Sequence, residues 1–183
     1  MNTTKKITTS ALMIALSTVL MWVSKLIPAP WLQGGSVTLA SMVPVIICGI
    51  MLGTKWGLCA SIAYSLIQMM FGFYPPPTQT LLNFILVILL DYVFAYGVLG
   101  LSGFFYAIFG KSTLAATISG FIVTTLRYIC HIISGVLIWG VYAEAGQSVL
   151  SYSVIYNGTY MIPEIIITTV VLSLIMKFKI FNR

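Results

Sequence analysis

The sequence predicts an all-α polytopic membrane protein, a bundle of six transmembrane helices with the N- and C-termini in the cytoplasm. Three observations carry this. Of 183 residues, 60% are hydrophobic and only 7% charged, with a mean hydropathy of +1.06, whereas about a quarter of a soluble domain is charged. Apolar runs near the length one bilayer crossing needs, about 20 residues, recur six times between short turns. The basic residues gather at the ends of those runs. No length remains for a soluble catalytic domain, so residues 1–183 are expected to form one integral-membrane domain, and an enzyme working in water is not expected.

The first run covers residues 7–27. MNTTKK before it imitates a signal peptide, but the run exceeds a typical signal core and no small-x-small cleavage site ends it. It is therefore expected to stay as helix 1. Ala11 and Ala15 form a small-xxx-small pair that lets another helix approach closely. Residues 28–36, PAPWLQGGS, form a Pro/Gly loop containing Trp31. Helix 2 is expected over 37–53, kinked at Pro44, and a GTKWG turn with Lys55 follows.

Helix 3, over 58–73, includes Tyr64 and Gln68. The loop YPPPTQT is stiffened by three prolines, each of which fixes its own φ. Helix 4, over 81–105, carries Asp91 and Tyr92, and its Gly97, Gly100 and Gly103 give a flat strip for close packing. The FGKST turn with Lys111 imitates the end of a phosphate-binding loop, but Phe105 stands where that motif needs glycine and no strand precedes it. Helix 5 covers 114–142. Helix 6 covers 149–176, is expected to bend near Pro163, and ends in KFKIFNR. Asn157-Gly-Thr159 matches a glycosylation sequon, yet it lies inside an apolar segment.

Charge sets the orientation. With six crossings and an inside N-terminus, Lys5, Lys6, Lys55, Lys111, Lys177, Lys179 and Arg183 all fall on the cytoplasmic side. Lys25 lies toward the outer face, and Arg127 is within the membrane. The net charge of +6 forms no patch of the kind that binds nucleic acid. Cys48, Cys59 and Cys130 lie in apolar runs without disulfide or metal spacing, so they read as small buried hydrophobes. No metal and no cofactor is expected.

Residues 127–164 hold an arginine, the only histidine and two of the three acids. Polar groups in an apolar span mark function by default. At about 1.5 Å per residue, Asp91 and Arg127 fall near mid-membrane, with His131 one turn farther out and Trp139 about 12 Å beyond His131. Tyr152 and Asn157 lie in the outer half, and Glu164 is deeper on nearly the same face as Asn157. These groups can converge on an outward-facing cavity with an acid at its floor and aromatic walls. Such a site suits a flat, cationic, nitrogen-containing ligand. Arg127 is expected to neutralise Glu164, with Asp91 as its other possible partner.

The patterns LLDYVFAYGVLGLSG, RYICHIISGVLIW and SYSVIYNGTYMIPE resemble the thiamine-specific substrate-binding subunits (S components) of energy-coupling factor (ECF) transporters. The resemblance covers nearly the whole chain. It implies an S component in the bacterial cell membrane that binds thiamine from outside without chemistry of its own. The implied partners are a transmembrane coupling subunit and two ATPase subunits. By the same resemblance Asp91 faces the aminopyrimidine with Tyr92 beside it, His131 and Trp139 pack on the ligand rings, and Tyr152 and Asn157 complete the wall. Tyr64 takes the place of a tryptophan in the helix 3 region, Asp91 stands where relatives can have glutamate, and Trp31 is out of register with a first-loop tryptophan. Ala11 and Ala15 become the docking strip for the coupling subunit. Without the resemblance, a proton-coupled carrier using Asp91, Arg127, His131 and Glu164 as a relay stays open, as does a non-transporting scaffold.

Overall fold

A computed structural model describes residues 1–26 and 35–178. Trp31, Lys179 and Arg183, and the expected end of helix 1 at residue 27, lie outside the described residues. Within them, every regular element is helical. There are six helices: α1 (Thr3–Ser24), α2 (Val43–Leu52), α3 (Thr54–Gly72), α4 (Leu81–Ile108), α5 (Thr113–Tyr142) and α6 (Val149–Lys177). Four of them, α1, α4, α5 and α6, are long and apolar enough to cross a bilayer. The chain is a multi-pass membrane protein.

Short polar side chains start the helices. Asn2, Thr80, Ser112 and Ser148 each accept a hydrogen bond from the backbone N–H three residues on, satisfying a donor that the first helical turn leaves open. Large apolar side chains such as Leu12, Leu16, Ile133, Ile162 and Ile166 point outward, as a hydrocarbon solvent allows. The short α2 is the reverse case. Val43 through Gly49 are all buried, because α1, α3, α4 and α6 pack around them.

Helix 2 differs from expectation. Residues 37–42 are not helical, and α2 begins only at Val43. Pro44 is not a kink but sits in the first turn, where its missing N–H costs nothing and its fixed φ suits the helix. The segment 35–42 instead runs irregularly through the bundle. Irregular backbone at membrane depth needs partners inside the protein, and side chains supply them. The Thr38 N–H donates to Glu164 Oε1, and the Leu39 N–H donates to Ser24 Oγ at 2.7 Å. Thr38 and Ser41 join through their hydroxyls at 2.7 Å.

The glycine strip of α4 packs as expected at two of its three positions. A Cβ on Gly100 would lie 2.5 Å from Leu58 N and 2.6 Å from the Gly57 carbonyl carbon. A Cβ on Gly103 would meet the Thr54 nitrogen at 2.8 Å, whereas one on Gly97 would meet nothing within 4 Å among the described residues. The backbones of α3 and α4 therefore touch, a packing that only small residues permit. Ser102 Oγ adds a hydrogen bond to Ile46 O of α2 at 2.8 Å. These contacts fix α4, and with it Asp91, against the buried core.

Candidate functional site

The ends of α1, α3 and α5 and the starts of α4 and α6 share one end of the bundle, where they surround a cavity of about 450 Å³. Binding pockets for small molecules are of this size, mainly apolar with a few placed polar groups. Asp91, Tyr92 and Tyr96 of α4 form one wall, and Arg127, His131, Gly135 and Trp139 of α5 form the next. Tyr152, Tyr156, Asn157 and Tyr160 of α6 form another, and Gly35–Thr38 with Ser41 a fourth. Lys25, Gln68 and Tyr74 also face it.

Asp91 is the hub. His131 Nδ1 lies 3.0 Å from Oδ1, while Ser134 Oγ and Trp139 Nε1 donate to Oδ2 at 2.6 and 3.2 Å. Three side chains of one helix thus hold one carboxylate of another. A carboxylate offers about four acceptor positions, so capacity remains, and the side chain is 17% exposed, enough to meet a ligand.

Local backbone geometry makes this possible. Asp91 and Tyr92 lie in a π-helical stretch, Ile88–Phe94, and Trp139 ends a second one, Gly135–Trp139. A π turn closes i→i+5 hydrogen bonds, is rare, and is frequent at functional sites. It brings Ser134 and Trp139, five residues apart, to the same side of α5, 3.2 Å from each other. An uninterrupted α-helix would splay them.

The α6 wall is an aromatic ladder. Tyr152 stacks on Tyr156 with ring centres 5.8 Å apart, and Tyr156 meets Tyr160 edge-on at 6.0 Å. The Asn157 amide donates to the carbonyls of His131 (3.2 Å) and Ser153 (2.9 Å), and its oxygen accepts from Tyr160 Oη. Asn157 therefore ties α6 to α5 and is not open to a glycan. Opposite, Trp139 leans on Tyr74 with centres 5.5 Å apart. The Tyr152 hydroxyl is buried without a hydrogen-bond partner among the described residues.

Two expectations are corrected. Arg127 and Glu164 do not form an ion pair: among the described residues the pair within 4.0 Å is His131–Asp91. Arg127 Cζ lies 4.1 Å over the Tyr96 ring, its Nε donates to His131 Nε2 at 3.3 Å, and Nη1 lies 2.7 Å from the Met42 sulfur. Glu164 is taken up by the Thr38 backbone instead. Tyr64 is wholly buried and lines no part of the cavity. Its hydroxyl donates to Ser17 O at 3.3 Å, and its ring supports Tyr96 edge-on at 5.5 Å.

The other named residues fall as follows. Asp91, Tyr92, His131, Trp139, Tyr152 and Asn157 all line the cavity. The Tyr92 hydroxyl is engaged at the end of α3, donating to Gly72 O and accepting from Tyr74 N, both at 2.9 Å. Ala11 and Ala15 are exposed on the outer face of α1, and Ala11 lies in a shallow apolar groove with Trp56 and Cys59. Cys59 is thus exposed rather than buried. Sequence reasoning missed Tyr96, Ser134, Tyr156, Tyr160 and Thr38. The spacing of Tyr152, Tyr156 and Tyr160 at i, i+4 and i+8 was a readable signal for one face of a helix.

The family model for thiamine transporter proteins matches residues 7–181. The chain belongs to this thiamine transporter family. The thiamine transporter ThiT of Bacillus subtilis is 35% identical over 154 residues, covering 78% of this chain and 76% of that one. ThiT of Lacticaseibacillus paracasei is 32% identical over 97 residues, 48% of each chain. A solved structure of ThiT from Listeria monocytogenes matches with a TM-score of 0.70, covering 95% of this chain and 94% of that chain at 20% identity. That likeness shows a common fold. Membership in the thiamine transporter family makes this chain a transporter, not an enzyme.

Proposed function

We propose that this chain is the thiamine-binding S component of an ECF-type importer in the bacterial plasma membrane. The observation that carries the reading is the Asp91 carboxylate, held by His131, Ser134 and Trp139 beside a cavity with aromatic walls. Thiamine pairs a cationic thiazolium ring with an aminopyrimidine. A carboxylate attracts the charge and accepts from the amino group, while ring faces suit both heterocycles. Asp91, Tyr92, His131, Trp139, Tyr152 and Asn157 are the ligand-binding set in this reading. Tyr64 acts behind it, through Tyr96. No cofactor takes part.

In the same reading all six helices cross the bilayer as one domain, both termini are cytoplasmic, and the cavity opens to the outside. The exposed face of α1 at Ala11 and Ala15 receives the coupling subunit, and two ATPase subunits drive release. Support comes from the basic residues at the far end of the bundle, Lys5, Lys6, Lys55 and Lys111, and from the small, exposed side chains of that face.

The test is a titration of the purified chain, without partners, with thiamine, followed by tryptophan fluorescence. Saturable quenching by thiamine, with Trp139 as the reporter, is the expected result. No response to thiamine, with a different vitamin binding instead, would overturn the assignment.

A further inference from the structure

We propose that Arg127 is a positioning residue that holds His131 as the neutral, Nδ1-protonated imidazole, so that Asp91 meets its ligand with its charge uncancelled. The ligand half of this statement rests on the reading of the cavity as a thiamine site; the protonation half does not.

Hydrogen-bonding capacity fixes the tautomer. An arginine N–H can only donate, and a guanidinium stays protonated in proteins. Arg127 Nε points at His131 Nε2 from 3.3 Å, so Nε2 must offer its lone pair. The ring proton is then on Nδ1, where Asp91 Oδ1 accepts it at 3.0 Å. One arrangement satisfies both contacts, a relay from Arg127 through His131 to Asp91.

Arg127 is placed to impose it. Residues four apart on a helix are neighbours, and Arg127 is further fixed by the Tyr96 ring at 4.1 Å and the Met42 sulfur at 2.7 Å. The groups facing His131 are Asp91 from α4, Arg127 from its own helix and the edge of Tyr160 from α6. Glu164 of α6 acts on Arg127 at longer range. Without Arg127, His131 could take a second proton and pair with Asp91 as an imidazolium. A cationic ligand would then compete with a cation already in place.

His131 is the only histidine, so the full-length protein labelled with ¹⁵N-histidine gives a single imidazole spectrum. At neutral pH, without ligand, the wild type is expected to show a protonated Nδ1 and a bare Nε2. A protonated Nε2 or a doubly protonated ring would overturn the proposal, whatever the protein binds. Arg127→Met should lose the single tautomer, and its thiamine affinity should fall about tenfold more than that of the wild type between about pH 8 and pH 5.5. Arg127→Lys, which keeps a donor, should restore both readouts. An Arg127→Met protein with the wild-type spectrum and pH profile would overturn the proposal, and if that variant does not fold, the wild-type spectrum alone decides. Failure of the wild type to bind thiamine while its Nδ1 is protonated would instead sink the thiamine reading.

Discussion

Ser134 and Trp139 donate to the same oxygen of Asp91, although five residues separate them on α5. The π turn at Gly135–Trp139 is what makes this possible. Gly135 is its first residue, and a Cβ there would run into Ser153 of α6, with the Asn157 amide 3.0 Å away. Gly135→Ala should therefore push α6 off α5 and weaken thiamine binding by roughly tenfold or more, read by fluorescence titration.

Tyr152 and Tyr64 should separate wall from core. Among the described residues nothing bonds to the buried Tyr152 hydroxyl, so Tyr152→Phe should leave thermal stability unchanged or raised. If the hydroxyl bonds to the ligand, affinity falls roughly fivefold, for a loss of about 1 kcal/mol. Tyr64→Phe should do the opposite. It removes the bond to Ser17 O, at a cost of about 1 kcal/mol of stability, and leaves thiamine affinity as it was.

Glu164 should matter through the backbone it holds. Glu164→Ala leaves the part-buried Thr38 N–H without its acceptor, a loss of about 1 kcal/mol seen as a lower unfolding midpoint in detergent. Glu164→Gln keeps an oxygen acceptor and should lie close to wild type. An ion-pair role would make both variants equally damaging, because both remove the charge.

The α4 glycines should behave unequally. Gly100→Leu forces a side chain into the backbone of α3 and should destabilise by about 3 kcal/mol or more. Gly97→Ala meets open space and should stabilise slightly, by up to about 1 kcal/mol. Thermal unfolding of the two variants beside wild type reads both.

Much of the fold was legible because lipid exposure leaves a plain signal. Apolar length located α4, α5 and α6 within a few residues, and the cost of polar groups in a membrane pointed to Asp91, His131, Trp139 and Asn157. The remainder was hidden for physical reasons. Residues 37–42 are apolar enough to pass for helix, and nothing in their pattern tells that the Glu164 and Ser24 side chains satisfy their backbone. The same fact concealed the fate of Glu164, since a backbone N–H is an invisible partner in a sequence. Ser134 was missed because a 3.6-residue period places it away from Trp139. Tyr64 was assigned by register with a relative's tryptophan, and register does not report which way a ring faces.

The most direct measurement is calorimetric titration of thiamine into wild type and Asp91→Asn, side by side. Asparagine keeps the shape but removes the charge and part of the acceptor capacity that His131, Ser134 and Trp139 organise. Wild type is expected to bind tightly and Asp91→Asn roughly tenfold to a hundredfold more weakly, the value of a charge-assisted hydrogen bond, with the fold retained. Equal affinity in the two proteins would contradict this.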